Sequence, residues 1–97
     1  MPTWETTATF DLDLKALTPQ QRAAFRRAVE KFVSDLRGDA GFRRSLRVKR
    51  VEATKDIWEL SWAPDGRATW QYGPGQTIDE PHVVWRRVGS HDVFRRP

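Results

Sequence analysis

Between Ala8 and Lys15 apolar and polar residues alternate, with Phe10, Leu12 and Leu14 set against Asp11, Asp13 and Lys15. A period of two predicts a half-buried strand. The next segment changes period. Thr18-Pro19-Gln20-Gln21 is a helix start, with Thr18 as N-cap, Pro19 at the first helical position and Gln21 closing a capping box. Phe25, Ala28, Val29, Phe32 and Leu36 then recur at spacings of three and four, while Arg22, Arg26, Arg27, Glu30 and Lys31 take the other side. This is one amphipathic helix, and Gly38 ends it. The stretch from Asp39 to Ser45 has no clear period and allows a further turn of helix.

The rest of the chain reads as strands. Leu46 to Val51 alternates imperfectly, and Ile57 to Trp62 puts Trp58, Leu60 and Trp62 on one side. Ala63-Pro64-Asp65-Gly66 is a turn, with proline fixing φ and Gly66 expected to supply a positive φ. The returning arm, Arg67 to Tyr72, places Ala68, Trp70 and Tyr72 inward. A polar loop is expected from Gly73 to Pro81, a last strand from His82 to Gly89, and a tail from Ser90 to Pro97. The order implies an α+β fold: an N-terminal strand, one or two helices, then a three-stranded antiparallel meander, with the helices on one face of a small sheet. On the other face the outward positions gather Arg47, Lys49 and Arg67, with the C-terminal arginines close by.

Composition narrows the function classes. Ninety-seven residues suit one domain spanning 1–97, and five tryptophans and five phenylalanines supply much of its core. Trp58, Trp62, Trp70 and Trp85 are read as core. There is no cysteine, which removes disulfides, thiolate nucleophiles and thiolate metal sites. Two histidines alone argue against a metal centre, and no cofactor is expected. The N-terminus lacks a leader pattern and no apolar run approaches the roughly 20 residues needed to span a bilayer, so a cytoplasmic location is expected.

Net charge is +4, and 13 of the 17 basic residues are arginine. Arginine grips phosphate bidentately. Five of the eight residues from Arg43 to Arg50 are basic, and Arg86, Arg87, Arg95 and Arg96 fall in the last dozen. That distribution points to an anion-binding face, with RNA as the expected ligand. Ser90-His91-Asp92 is not a hydrolase triad, because adjacent residues cannot converge as nucleophile, base and orienter must. His82, beside Pro81 in the loop, is given no role.

Leu46 to Val51, Ile57-Trp58-Glu59-Leu60, Arg67 at the start of the second hairpin arm, and Trp85-Arg86-Arg87-Val88-Gly89-Ser90-His91-Asp92-Val93-Phe94 together resemble the RelE/ParE superfamily of bacterial toxin-antitoxin toxins. The resemblance runs from about Phe10 to Phe94, and its specific part is the second half. It implies a toxin of the ribonuclease branch, whose concave sheet face cleaves messenger RNA, usually on the ribosome and without a metal, so that translation is inhibited. In that chemistry a base takes the 2′-OH proton, a cation stabilises the phosphorane and an acid protonates the leaving 5′-oxygen.

Carried over by position, Arg67 is the transition-state arginine, Arg87 the arginine before the glycine turn, and His91 the acid/base histidine. Lys49 and Arg50, with Arg47, are the RNA-binding cations, and Phe94 is the aromatic that stacks on a splayed base. Arg86 and Arg87 alternate on a strand, so only one can face the site, and the resemblance favours Arg87. Glu59 has two readings, a base or the ion-pair partner of a neighbouring arginine, and the second is preferred; the general base is unassigned. The implied partners are messenger RNA, the ribosome and an antitoxin protein. Two alternatives stay open: a ParE-like toxin that acts on DNA gyrase without cutting RNA, and a catalytically inactive RNA-binding homologue.

Overall fold

The computed structural model describes residues 3–73 and 81–97. β1 (Thr3–Thr6) is followed by α1 (Ala8–Ala16), α2 (Pro19–Arg37), a 3₁₀ turn (Arg44–Leu46), β2 (Lys49–Arg50), β3 (Trp58–Ser61), β4 (Gly66–Tyr72), β5 (His82–Ser90) and a terminal 3₁₀ helix (His91–Arg95). The five strands form one sheet in the order β1-β5-β4-β3-β2. β1 runs parallel to β5, and the other pairings are antiparallel. The expected α+β fold, with its N-terminal strand, helices and closing meander, is therefore present. The polar loop expected between Gly73 and Pro81 lies, at 74–80, outside the described residues.

The N-terminal strand is not where the alternation placed it. Ala8–Ala16 is a helix, and the strand is Thr3–Thr6 just before it. Thr7 accepts from the Phe10 amide at 3.1 Å and caps the helix, which offsets an otherwise unpartnered donor. Phe10 and Leu17, seven residues apart, are buried in the same core, whereas Leu12, the middle apolar residue of the supposed strand, is 68% exposed. The period of two was a coincidence of three residues. β1 itself is too polar to be seen by hydrophobic pattern, and it forms because the edge of β5 offers backbone partners from His82 to Trp85.

α2 follows the sequence closely. Thr18 and Gln21 form the reciprocal capping box, Pro19 opens the helix and Gly38 closes it. Its stripe of Phe25, Ala28 and Phe32 is buried against the sheet. Phe25 meets the edges of Trp62 and Trp85, and Phe32 meets Trp70 and Trp85 at ring separations of 4.9 and 5.3 Å. Such tilted aromatic pairs contribute about 0.5–1.5 kcal/mol each beyond the area they bury. α1 joins the same layer through Phe10, which touches Phe25 and Trp85. Both helices thus cover one face, and Leu60, Ala68, Trp70, Val83, Trp85 and Val88 point up into them.

Three local expectations change. Beyond Gly38 the chain stays non-helical until the 3₁₀ turn at Arg44, because Asp35 captures Arg43 through its side chain and its backbone amide; that pairing pulls the Asp35 carboxyl down to about 2. Tyr72 is on the helix side of the sheet, with its ring 5.1 Å from Trp70, yet it remains exposed. Gly66 does not have a positive φ. Its need is space, since a Cβ there would lie 2.6 Å from the Trp62 ring.

Candidate nucleic-acid interface

Antiparallel partners share a face of the sheet, so the register assembles the uncovered side directly. Lys49 is paired with Glu59, Glu59 with Thr69, Ser61 with Arg67, and Arg67 with Gly89. The alternate set, Trp58, Leu60, Ala68 and Trp70, lies under the helices. Arg50 pairs with Trp58, which places it on the helix side rather than beside Lys49. Arg47 is not on a strand at all. It caps the 3₁₀ turn in a left-handed conformation, φ 49° and ψ 46°, and lines a cleft with Arg67 between α2 and the β3–β4 turn.

The tail completes the face. The terminal 3₁₀ helix folds back over β4 and β5 with Val93 buried, and Gly89 permits the approach, because a Cβ there would sit 3.2 Å from Val93 Cγ1. Beyond it, the Pro97 carbonyl accepts from Thr69 Oγ1 and from Arg86 Nε, both at 3.0 Å. His91 opens this helix and is exposed. Its ring stands edge-on to Phe94 at 4.8 Å, so the two candidates from the tail form one unit.

Glu59 is the centre of the arrangement. Among the described residues it is one of two buried polar side chains, the other being its register partner Thr69. Burial pushes its carboxyl above the usual glutamate range, and Lys49, Arg67 and His91 are near enough to draw it partly back. Among the described residues it is in no ion pair within 4.0 Å, so the reading of Glu59 as an arginine's salt-bridge partner is corrected. A buried carboxylate ringed by three cationic or titratable groups, without a direct partner, is a site of strong local field.

The arginines divide. Arg67 folds over the hairpin turn and donates through one terminal nitrogen to the carbonyls of Ala63, Pro64 and Gly66 at 3.3, 3.1 and 2.9 Å. Among the described residues its Nε and second terminal nitrogen make no hydrogen bond. Arg87 is held differently. Its Nε and terminal nitrogen grip Asp13 of α1 at 2.6 and 3.2 Å, and it also donates to the Arg96 carbonyl. The same Asp13 accepts from the Val88 amide at 3.2 Å, covering the stretch of the β5 edge that lies beyond β1. A register shift between Thr69 and Trp70 skips Arg86, and bulges redirect side chains. Arg86 accordingly reaches Gln71 at 2.7 Å and the Pro97 carbonyl, on the open side.

The structure thus brings Lys49, Arg67 and His91, with Phe94 attached, around Glu59; Arg50, Arg47 and the Arg87 guanidinium have other neighbours. Sequence reasoning undervalued Glu59, although its place between Trp58 and Leu60 already put it opposite the core. His82, given no role, ties β1 to β5 by accepting or donating to Thr3 and Glu5 at 2.7 Å each. Among the described residues no group of three or more His, Asp or Glu side chains could hold a metal ion, and no helix is long and apolar enough to cross a membrane.

No family model and no curated protein matches the chain. Solved structures do. A chain of the E. coli DinJ-YafQ complex superposes with a TM-score of 0.67 at 13% identity, covering 96% of this chain and 97% of that one. The YoeB/ParE toxin from Agrobacterium tumefaciens gives 0.67 at 5% identity over 92% and 98%. A chain of the RelBE2 toxin-antitoxin complex from Mycobacterium tuberculosis gives 0.61 at 21% identity over 94% and 100%. Near-complete coverage in both directions means that the architecture, from the first strand to the tail, is shared and not a common fragment, and the chain has the RelE/YafQ/ParE toxin fold.

Proposed function

We propose that residues 1–97 form the toxin of a toxin-antitoxin pair, and that it is a metal-independent endoribonuclease acting on messenger RNA. The observation that carries this reading is Glu59, buried on the open sheet face with Lys49, Arg67 and His91 around it. Glu59 takes the proton of the ribose 2′-OH, and burial, which raises its carboxyl, makes the carboxylate a stronger base than a free one. The 2′-oxygen attacks the adjacent phosphorus. Arg67, through the nitrogens not used on the turn, and Lys49 stabilise the charge on the phosphorane oxygens. His91 gives a proton to the departing 5′-oxygen, leaving a 2′,3′-cyclic phosphate and a 5′-hydroxyl. Phe94 holds a splayed base beside the imidazole. Arg87, clamped to Asp13, acts as a positioning residue for the end of β5.

Several of the similar structures are toxin-antitoxin complexes, which supports a cognate antitoxin as partner. An acidic, helical segment laid on the basic face would satisfy its arginines. The test is RNA cleavage by the purified protein, alone and with ribosomes present. His91→Ala and Arg67→Ala should each lower the rate about 10²–10⁴-fold, and full activity in both removes the mechanism. Inhibition of gyrase supercoiling with no RNA cut would instead favour the ParE-like action, and salt-sensitive RNA affinity without turnover would mark a binding module.

A further inference from the structure

A second basic site lies beside the proposed catalytic face, in the cleft of about 570 Å³ between α2, the 3₁₀ turn and the β3–β4 turn. Four of its lining residues, Arg27, Lys31, Arg47 and Arg67, are cationic, and Ser45 and Ser61 add hydroxyls. No carboxylate lines it. Among the described residues Arg27, Lys31, Arg47 and Arg67 are in no ion pair within 4.0 Å. Arg27 and Lys31 are four apart on α2, a spacing at which like charges repel and weaken a helix. Arg47 adds backbone strain, since a non-glycine residue in the left-handed region is disfavoured and tends to persist where a site needs it. An anion in the cleft would offset the repulsion between Arg27 and Lys31.

We propose that this cleft binds a phosphodiester of the RNA other than the one that is cut. The inference rests on the reading of the open face as an RNA surface. Arg67 belongs to both places, lining the cleft and standing near Glu59, so a strand crossing the face reaches the cleft by passing one side chain. The cleft's four cations, two hydroxyls and wide mouth fit a backbone phosphate, which needs charge and hydroxyl donors rather than an enclosing pocket.

The experiment measures binding of a fluorescent 12-nucleotide single-stranded RNA carrying 2′-O-methyl groups, which bars the 2′-oxygen attack, across a series of salt concentrations. Arg27→Gln/Lys31→Gln is compared with wild type and with Lys15→Gln/Arg26→Gln, which removes two exposed cations outside the cleft. Loss of the phosphate contact should lower the slope of log affinity against log salt by about 0.7 and weaken binding roughly fourfold at 0.15 M salt, with the control unchanged. A 12-base-pair RNA duplex, run in parallel, separates the strand's own phosphates from those of structured RNA; a loss in either arm supports the proposal. An unchanged slope in both arms overturns it, as does an equal loss in the control. Cleavage is scored separately on unmodified RNA. Wild-type cleavage with an unchanged slope sinks the cleft and leaves the nuclease reading standing, whereas an altered slope with no cleavage does the reverse.

Discussion

Lys49 and Glu59 face one another across the edge of the sheet, as register partners on β2 and β3, with the carboxylate buried and the ammonium in water. The lysine therefore screens a group that burial works to protonate. Glu59→Gln should keep the shape and abolish the base, lowering cleavage about 10²–10⁴-fold.

The same substitution carries a signed prediction in pH. Burial raises the Glu59 carboxyl in the folded state, so the native protein holds that proton more tightly than the unfolded chain. Stability from this source is complete below the ordinary glutamate pKa and is lost as pH rises through the raised folded value. Glutamine does not titrate. The melting temperature of Glu59→Gln relative to wild type should thus climb as pH rises from the ordinary glutamate pKa of about 4 through the raised folded value, and thermal melts showing a constant difference would exclude a raised Glu59.

Arg67 has two tasks that one pair of variants can separate. One terminal nitrogen closes the hairpin turn through three carbonyls, and the remaining nitrogens are available to substrate. Arg67→Ala should cost about 1–2 kcal/mol in denaturant unfolding and about 10²–10³ in cleavage rate. Arg67→Lys restores a cation that reaches the turn but not a planar fork. Recovery of stability with little recovery of rate is expected; parallel recovery of both would reduce the arginine to a turn clamp.

Much of this was legible because local chemistry and tertiary packing agreed. At Thr18 to Gly38 cap, stripe and stop all specify the same helix, and β3 to β4 follow from alternation on either side of a proline turn. Ala8 to Lys15 failed because Phe10, Leu12 and Leu14 satisfy a strand pattern by chance, while the helix is set by Thr7 and by Leu12 turning to water. The site was half visible. Alternation put Lys49 and Arg67 on one face, but Arg47 leaves it through a left-handed residue, and a bulge puts both Arg86 and Arg87 on the open side where alternation allowed only one; neither irregularity has a signature in the residue string. Asp13 was unreadable for another reason: its partner Arg87 lies across the sequence, and only the packing of α1 on β5 joins them.

That pair supplies a test of positioning against catalysis. Arg87 and Asp13 form a bidentate, half-buried bridge between β5 and α1, and the aspartate holds the guanidinium above its ordinary pKa. A double-mutant cycle with Arg87→Ala and Asp13→Ala should give a coupling energy of about 1–2 kcal/mol in unfolding. If Arg87 acts only by placing β5, Asp13→Asn should lower cleavage as much as Arg87→Ala does. A variant at Asp13 that keeps full rate while Arg87→Ala abolishes it would show that the guanidinium meets the phosphate itself.

Gly66 links turn geometry to the same site. An added Cβ would lie 2.6 Å from two ring atoms of Trp62 and 2.9 Å from the Ala63 Cβ, closer than such atoms approach. Trp62 cannot move freely, because its indole donates to the Arg67 carbonyl at 3.0 Å and its ring abuts Phe25. Gly66→Ala should therefore destabilise the fold by about 1–3 kcal/mol, as overpacking does, and should disturb Arg67 along with the turn. The cost should shrink in a Trp62→Leu background, where the obstructing ring is gone, since contacting sites are not additive. Urea unfolding of the two singles and the double measures it, and an undiminished penalty in the leucine background would mean that something other than the indole requires glycine here.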